Sequence, residues 1–421
     1  MAKGHKIKRY NKIYRAGKRR SAVKIIVGFL LVGLLAAAGW FLYPPIYDFI
    51  LSYGDTDQIP YSQDPEEPPA SSQEPSSQSQ PGEAPPAPGG EENSFKMAYV
   101  PHGIVANAAV LDSYINSLPK GYVNTVVIDL KDDTGQVLYT TALAKTVADD
   151  AYPLADIVNR FEAAGIRVVG RFWAFKDHLA PGALYDAAVK YMGTEYNWLD
   201  NSVEHGGKPW LNPYHPQAQQ YLLSLVEEAM EAGVSGIVMA GVQFPEGYSL
   251  ETADYGMSGA ASSASRSQVL VNFMAKVQEL VAAKDGVGCW NYLSAPVLLN
   301  PPEGSLSPYG ENLSAYLQAA DMMVEVMPSL FGAELALPGQ QIGAPITQPY
   351  ETVKAVLTAA GVTRIERSAV PVVQAYTQQG YAAAYNLTYT RTQVDAQLNA
   401  AAELGLEEGY LLYNPAGDYS I

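Results

Sequence analysis

Beyond residue 95 the chain alternates short apolar runs with apolar stripes at helical spacing. The runs lie at Met97–Pro101, Thr125–Leu130, Arg167–Trp173, Gly236–Val242, Val287–Tyr292, Met322–Met327, Val370–Tyr376 and Gly409–Tyr413. Each is short and nearly continuous, as expected for parallel strands covered on both faces. Between them, Leu154, Ile157, Val158 and Phe161 form one helical stripe, and Leu222, Leu225, Val226 and Met230 another, opened by Pro216. Proline suits the first turn of a helix, where its missing N–H costs nothing. Leu270, Phe273, Met274, Val277 and Val281 make a third stripe, Val353, Val356 and Leu357 a fourth, and Val394, Leu398 and Ala402 a fifth. Gly165, Gly233, Gly361 and Gly405 punctuate the helix ends. Eight strands with intervening helices predict an α/β fold, a (β/α)8 TIM-type barrel over residues 96–421. An open doubly wound sheet is the alternative, but no GxGxxG follows a strand to favour a bound nucleotide.

Upstream the pattern changes twice. From Ile25 to Tyr43 the run IIVGFLLVGLLAAAGWFLY carries no charge and no proline. As a helix rising 1.5 Å per residue it spans about 28 Å, close to a bilayer core. Trp40 and Tyr43 stand near its outer end, at the depth that aromatic rings prefer. A cleaved signal peptide is the competing reading, with Ala36 and Ala38 before Gly39 as its site. The apolar run continues through Trp40, Phe41 and Leu42, longer than a usual signal core, and this favours an uncleaved transmembrane helix. Residues 44–95 follow as a linker; from Gly54 they are rich in Pro, Ser, Glu and Gln and almost free of large apolar side chains. Such a stretch buries too little surface to offset its ordering entropy, so a disordered stalk is expected.

Charge sharpens this division. The chain of 421 residues has a net charge of -16, yet residues 1–24 hold ten basic residues and no acidic one. Beyond Gly54 there are 17 bases against 42 acids. The positive-inside rule places the basic tail 1–24 in the cytoplasm and the acidic body outside the cell membrane. An acidic body makes a poor general nucleic-acid binder. The single cysteine, Cys289, excludes an intramolecular disulfide and a cysteine zinc cluster. The five histidines include no HExxH and no close pair. Neither a metal nor a cofactor is expected.

In a barrel the chemistry sits at the C-terminal ends of the strands. Asp129 closes the second run, followed by Lys131, Asp132 and Asp133; Arg171 closes the third, followed by Trp173, Lys176, Asp177 and His178. Trp290 and Asn291 end the fifth run, Glu325 lies inside the sixth, Gln374 and Tyr376 end the seventh, and Tyr413 and Asn414 the eighth. A carboxylate inside a strand buried on both faces is costly unless paired or wetted, which marks Glu325 as a residue of the mouth. A structural ion pair is the other reading, Glu325 with Arg171, or Asp129 with Lys131 or Arg171. Asp132, Asp133 and Gly135 have turn chemistry, and Asp177 with His178 can simply start a loop. Aromatic residues such as Trp173, Trp210, Tyr214 and Trp290 serve packing or sugar stacking. No GxSxG supports serine chemistry, since Gly256, Ser258 and Gly259 do not fit it; paired carboxylates remain the enzymatic option.

These residues resemble the glycoside hydrolase domain family DUF4015, found in bacterial exported proteins. The resemblance runs through VVIDLKDDTGQVLY (Val126–Tyr139), GIRVVGRFWAFKDHL (Gly165–Leu179), PWLNPYHP (Pro209–Pro216), GVSGIVMAGVQFPEG (Gly233–Gly247), PYETV (Pro349–Val353), VPVVQAY (Val370–Tyr376) and GYLLYNPAGDYS (Gly409–Ser420). It implies a barrel related to glycosidases, acting on or binding cell-wall or external polysaccharide. Asp129, Arg171, Lys176, Asp177 and Gln374 match family positions. The family's fourth-strand motif resembles QFDYxRFP, and here Ala240, Gly241 and Gln243 replace its Asp, aromatic and Arg. Asn212 in WLNPY replaces another carboxylate. One hypothesis is an active glycosidase with Asp129 and Glu325 as its carboxylate pair and with Arg171, Trp173, Lys176, Asp177, Trp290, Asn291, Gln374, Tyr376 and Asn414 placing the sugar. The second is a barrel that binds glycan with impaired hydrolysis, and the third a structural envelope protein with no ligand.

Overall fold

The computed structural model describes residues 94–256, 265–300, 307–362, 367–407 and 409–420. Eight parallel strands close into a barrel. They are β1 (Phe95–Val100), β2 (Thr125–Lys131), β3 (Arg167–Trp173), β4 (Gly236–Ala240), β5 (Gly288–Ser294), β6 (Asp321–Glu325), β7 (Ala369–Gln374) and β8 (Gly409–Tyr413). Each pairs with its sequence neighbours, and β1 closes the ring by pairing with both β8 and β2. Every expected strand is present. The basic tail 1–24, the apolar span 25–43 and the linker up to residue 93 lie outside the described residues. Among the described residues no helix is long and apolar enough to cross a membrane.

Helices fill the gaps between strands, five of them at the stripes read from the sequence and two, the first and the fifth, at none. These are α1 (Ala108–Ser117), α2 (Leu154–Glu162), α3 (Pro216–Glu231), α4 (Arg266–Ala282), the short α5 (Leu313–Leu317), α6 (Pro349–Ala359) and α7 (Arg391–Ala402). Their starts are locally specified. Ser265 accepts a hydrogen bond from the Gln268 N–H to cap α4, and Thr390 with Gln393 forms a reciprocal capping box on α7. Such caps satisfy backbone donors that a helix leaves orphaned, each worth about 1 kcal/mol.

Two cores result from the alternation of side chains along each strand. Val126, Ile128, Val168, Ile237 and Met239 face outward and pack with Phe161, Leu222, Leu225 and Phe273 of the helices. Met97, Val127, Val169, Val238, Met323, Val372 and Leu411 face inward and fill the barrel. Burying each such side chain contributes about 1.5–3 kcal/mol. Trp290 plugs the N-terminal end of this inner core. Its ring meets Phe95 edge-on at 4.9 Å, and a Cβ on Gly236 would lie 2.7 Å from it.

Two additions build up the opposite, C-terminal end. Val137–Tyr139 folds back antiparallel on the end of β2 and pairs with Val147–Tyr152. The segments after β3 and β4 form a small lobe with its own core of Val189, Trp198 and Trp210. Within it, Lys190–Tyr191 pairs antiparallel with Ala253–Asp254.

Candidate functional site

The inward positions one step above the apolar core are polar, and they form the barrel mouth. Asp129 on β2 and Arg171 on β3 are register partners, and both are buried. The guanidinium binds the carboxylate with two hydrogen bonds, Nε to Oδ1 at 2.6 Å and Nη2 to Oδ2 at 3.0 Å. Tyr99 on β1 donates its hydroxyl to Asp129 Oδ2 at 2.8 Å. On the far side of Arg171, the ring of Tyr292 on β5 lies 5.4 Å from the guanidinium carbon. Tyr292 in turn donates to Glu325 Oε1 on β6 at 3.1 Å. Glu325 therefore faces into the mouth, and the Arg171 pairing that the sequence allowed for it goes to Asp129 instead. Tyr413 of β8 stacks on Tyr99 with centroids 5.0 Å apart, and Tyr376 meets Tyr413 edge-on at 6.4 Å.

The electrostatics follow from this packing. Burial pulls the Arg171 guanidinium down, but the charge and hydrogen bonds of Asp129 win and hold it well above its ordinary value. Burial first, then Glu325, pushes the Tyr292 phenol well above its usual range. Tyr413 is pushed up to about 12 by burial, with Arg171 opposing and Glu325 and Asp129 reinforcing the rise. The mouth is thus a set of neutral phenols around an internally neutralised Asp–Arg pair and one further carboxylate. Both oxygens of Asp129 hold donors, so attack on a sugar carbon or capture of a proton would break the bidentate pair.

Several residues expected to hold substrate have structural partners instead. Asp177 is buried against Lys131, Nζ to Oδ2 at 2.9 Å, with both side chains fully enclosed. Its other oxygen accepts from the N–H groups of Leu179 and Ala180 at 2.9 and 2.7 Å. A register shift between Asp129 and Lys131 gives these two residues different partners. Gly135, at φ +98°, sits so close to Asp177 that a Cβ there would overlap the carboxylate. Asp132 forms the expected turn, its Oδ1 accepting from the N–H groups of Thr134 and Gln136. IDLKDDTG and FKD therefore interlock, and their joint role in this structure is to fix two loops beside the mouth.

The fifth strand differs from expectation because it runs to Ser294, two residues further than its apolar run. Tyr292 then occupies the mouth, and Trp290 lies below it as the barrel floor. Asn291 points the other way, where its Oδ1 accepts from Tyr316 of α5 at 3.1 Å. Gln374 is fully buried; its Oε1 accepts from the Ser329 N–H and its Nε2 donates to the Tyr376 carbonyl. Asn414 shapes a turn, donating to the Ala375 and Asp418 carbonyls and accepting from the Ala416 N–H. Tyr376 contacts the Ser329 hydroxyl at 3.3 Å. The structure brings Asp129, Arg171 and Glu325 together with Tyr376 nearby, and it withdraws Asp177, Trp290 and Asn291. Tyr99 and Tyr292 were missed. Their signal was parity, since each is an aromatic two positions beyond an inward Met97 or Trp290.

The fourth strand ends in Ala240, paired with Trp173. Gly241 follows at φ +59°, and a Cβ on it would lie 3.1 Å from the Trp173 ring and 3.2 Å from Lys176 Cβ. The ring of Trp173 thus lies where a side chain at 241 would begin. Gln243 accepts from the Tyr309 hydroxyl at 3.3 Å. Asn212 is tied into its loop through the Tyr214 N–H and the Tyr255 carbonyl. Among the described residues no group of three His, Cys, Asp or Glu side chains is placed to hold a metal ion.

Residues 98–419 match the family model of DUF4015, described as "Putative glycosyl hydrolase domain". Among solved structures, the chain is similar to a hypothetical protein from Ruminiclostridium thermocellum ATCC 27405, with 23% identity, a TM-score of 0.39, and 46% of this chain and 96% of that one covered. It is similar to the α-galactosidase TtGalA from Thermus thermophilus at 12% identity and a TM-score of 0.44, covering 76% of this chain and 58% of that one. It is also similar to α-L-fucosidase isoenzyme 2 from Paenibacillus thiaminolyticus at 12% identity and a TM-score of 0.46, covering 78% and 47%. This chain therefore spans only 58% and 47% of the lengths of those two enzymes. No curated protein matches the sequence.

Proposed function

The chain belongs to the DUF4015 family of glycosyl hydrolase domains, and we propose that it binds polysaccharide at the barrel mouth with little or no hydrolysis by paired carboxylates. One observation carries this reading. Asp129 is engaged by Arg171 and Tyr99 at both oxygens, while Ala240 stands where the family resemblance expects an aspartate. A glycosidase of the ordinary kind needs an acid and a nucleophile or base, both carboxyl groups. Loss of a general acid or base costs about 10²–10⁴-fold in rate. Binding relies instead on ring faces and hydrogen bonds, which Trp173, Tyr376 and Tyr413 supply around the mouth. The apolar run 25–43 and the stalk that follows support an exported protein held at the membrane surface, facing cell-wall or external glycan.

The second reading is an active glycosidase, favoured by the inward placement of Glu325. A glycan array identifies the best ligand; wild type and Glu325→Gln are then assayed on it for reducing-end release. The expected result is binding by both proteins and negligible release by either. Turnover of several per second by wild type, lost in Glu325→Gln with binding intact, overturns the binding-only reading. Protease added to intact cells tests the tether: it should remove the body and spare the basic tail, and a protected body refutes the orientation.

A further inference from the structure

The rim between β3 and β4 holds a cation whose surroundings differ from those of its neighbours. Arg171 has Asp129 and Lys131 has Asp177. Lys190 donates to Asn197 Oδ1. Lys176 is half-buried, and its Nζ lies 5.5 Å from the centre of the Trp173 ring. Among the described residues no carboxylate lies within ion-pair distance of it. Its neighbour Asp177 is already committed to Lys131 and to two backbone N–H groups. A cation over a tryptophan face is worth about 0.5–1 kcal/mol at an exposed site, less than a charge-assisted hydrogen bond to a carboxylate contributes.

Trp173 is also half-buried. It ends β3 on the inward parity of Val169 and Arg171, so its ring belongs to the mouth. Gly241, at φ +59° and closely packed on Trp173 and Lys176, leaves the indole as the aromatic surface of this rim. The indole and the ammonium therefore form one compact unit, apolar in the ring and positive beside it.

We propose that Trp173 and Lys176 form a subsite for a sugar bearing a carboxylate, such as a uronic acid. The sugar ring lies against the indole, and its carboxylate supplies the counter-ion that Lys176 lacks. The acidic character of the body does not oppose this. At physiological salt, charges more than about 8 Å away are largely screened, so an adjacent ammonium outweighs distant surface carboxylates. This inference rests on the saccharide-binding reading of the mouth and names the substrate class for it.

The test uses the full chain in detergent micelles and a panel of oligouronides, each paired with its carboxyl-reduced, neutral counterpart. Calorimetric titration should show at least one oligouronide binding about ten-fold or more tighter than its reduced form. Lys176→Met should abolish that preference, and Lys176→Arg should retain it. Trp173→Ala should weaken both forms, with circular dichroism confirming that each variant is folded. Equal binding of acidic and neutral forms by wild type, or a preference that survives Lys176→Met, overturns the subsite and leaves glycan binding at the mouth standing. Binding of no oligouronide while neutral glycans bind overturns it as well. Binding of neither class refutes this inference and the proposed function together.

Discussion

Removing one member of the Lys131–Asp177 pair separates a scaffolding role from a substrate-binding one. Both side chains are fully enclosed, and the ammonium and carboxylate are 2.9 Å apart. Asp177→Ala strands a buried ammonium with only the Trp173 and Ala174 carbonyls as acceptors, and it also uncaps the Leu179 and Ala180 N–H groups. Lys131→Met strands the carboxylate, which keeps those two donors. Breaking one side of a buried pair costs about 3–5 kcal/mol, chiefly through the charge left behind. Against a total stability of about 5–15 kcal/mol, that is a large share. The double variant Lys131→Met/Asp177→Ala leaves neither charge, so it should cost less than the two single losses combined by more than about 1 kcal/mol. Urea unfolding is the suitable assay, since urea leaves ionic strength low and its midpoint reports stability at an unchanged slope. Single variants within about 0.5 kcal/mol of wild type, the range of an ordinary surface substitution, would refute the reasoning. A stable Asp177→Ala protein that has lost glycan binding would return Asp177 to the site.

Two other perturbations probe the barrel interior and the mouth. Trp290→Ala should destabilise by about 3–5 kcal/mol through the cavity it opens while leaving glycan affinity unchanged, because the indole lies at the closed end; urea melts and a binding titration on the same samples check both halves. Tyr99, Tyr292 and Tyr413 have phenols raised by burial, so the folded state keeps protons that the unfolded chain releases above about pH 10. Stability should be intact below that pH and fall as pH rises from about 10 towards the folded value of Tyr413 at about 12, with phenolate absorbance and unfolding appearing together; mouth phenols that ionise near 10 in a still-folded protein would contradict this.

Much of the architecture was readable from the chain alone. All eight strands coincide with continuous apolar runs, because strands covered on both faces tolerate few polar residues. Five of the helices coincide with stripes at helical spacing, for the same reason applied to one face. The polar residues at the strand ends pointed to Asp129, Arg171 and Glu325 as mouth residues, and all three lie there. The failures came where pairing across the ring decides the outcome. The apolar run of the fifth strand stops at Tyr292, but hydrogen bonding to β6 carries that strand to Ser294, which lowers Trp290 to the floor, and alternation along the strand turns its neighbour Asn291 outward.

What the sequence determined by itself is the set of strands and most of the helices, since both depend on local periodicity. The tertiary structure decided who pairs with whom. Asp129 had Lys131 two residues away and Arg171 in another strand as possible partners. The register shift after Asp129 gave Asp129 to Arg171 and Lys131 to Asp177. No linear pattern encodes that exchange, because it depends on the distance between side chains brought together by closure of the barrel, and the same closure left Lys176 beside Trp173 at the rim.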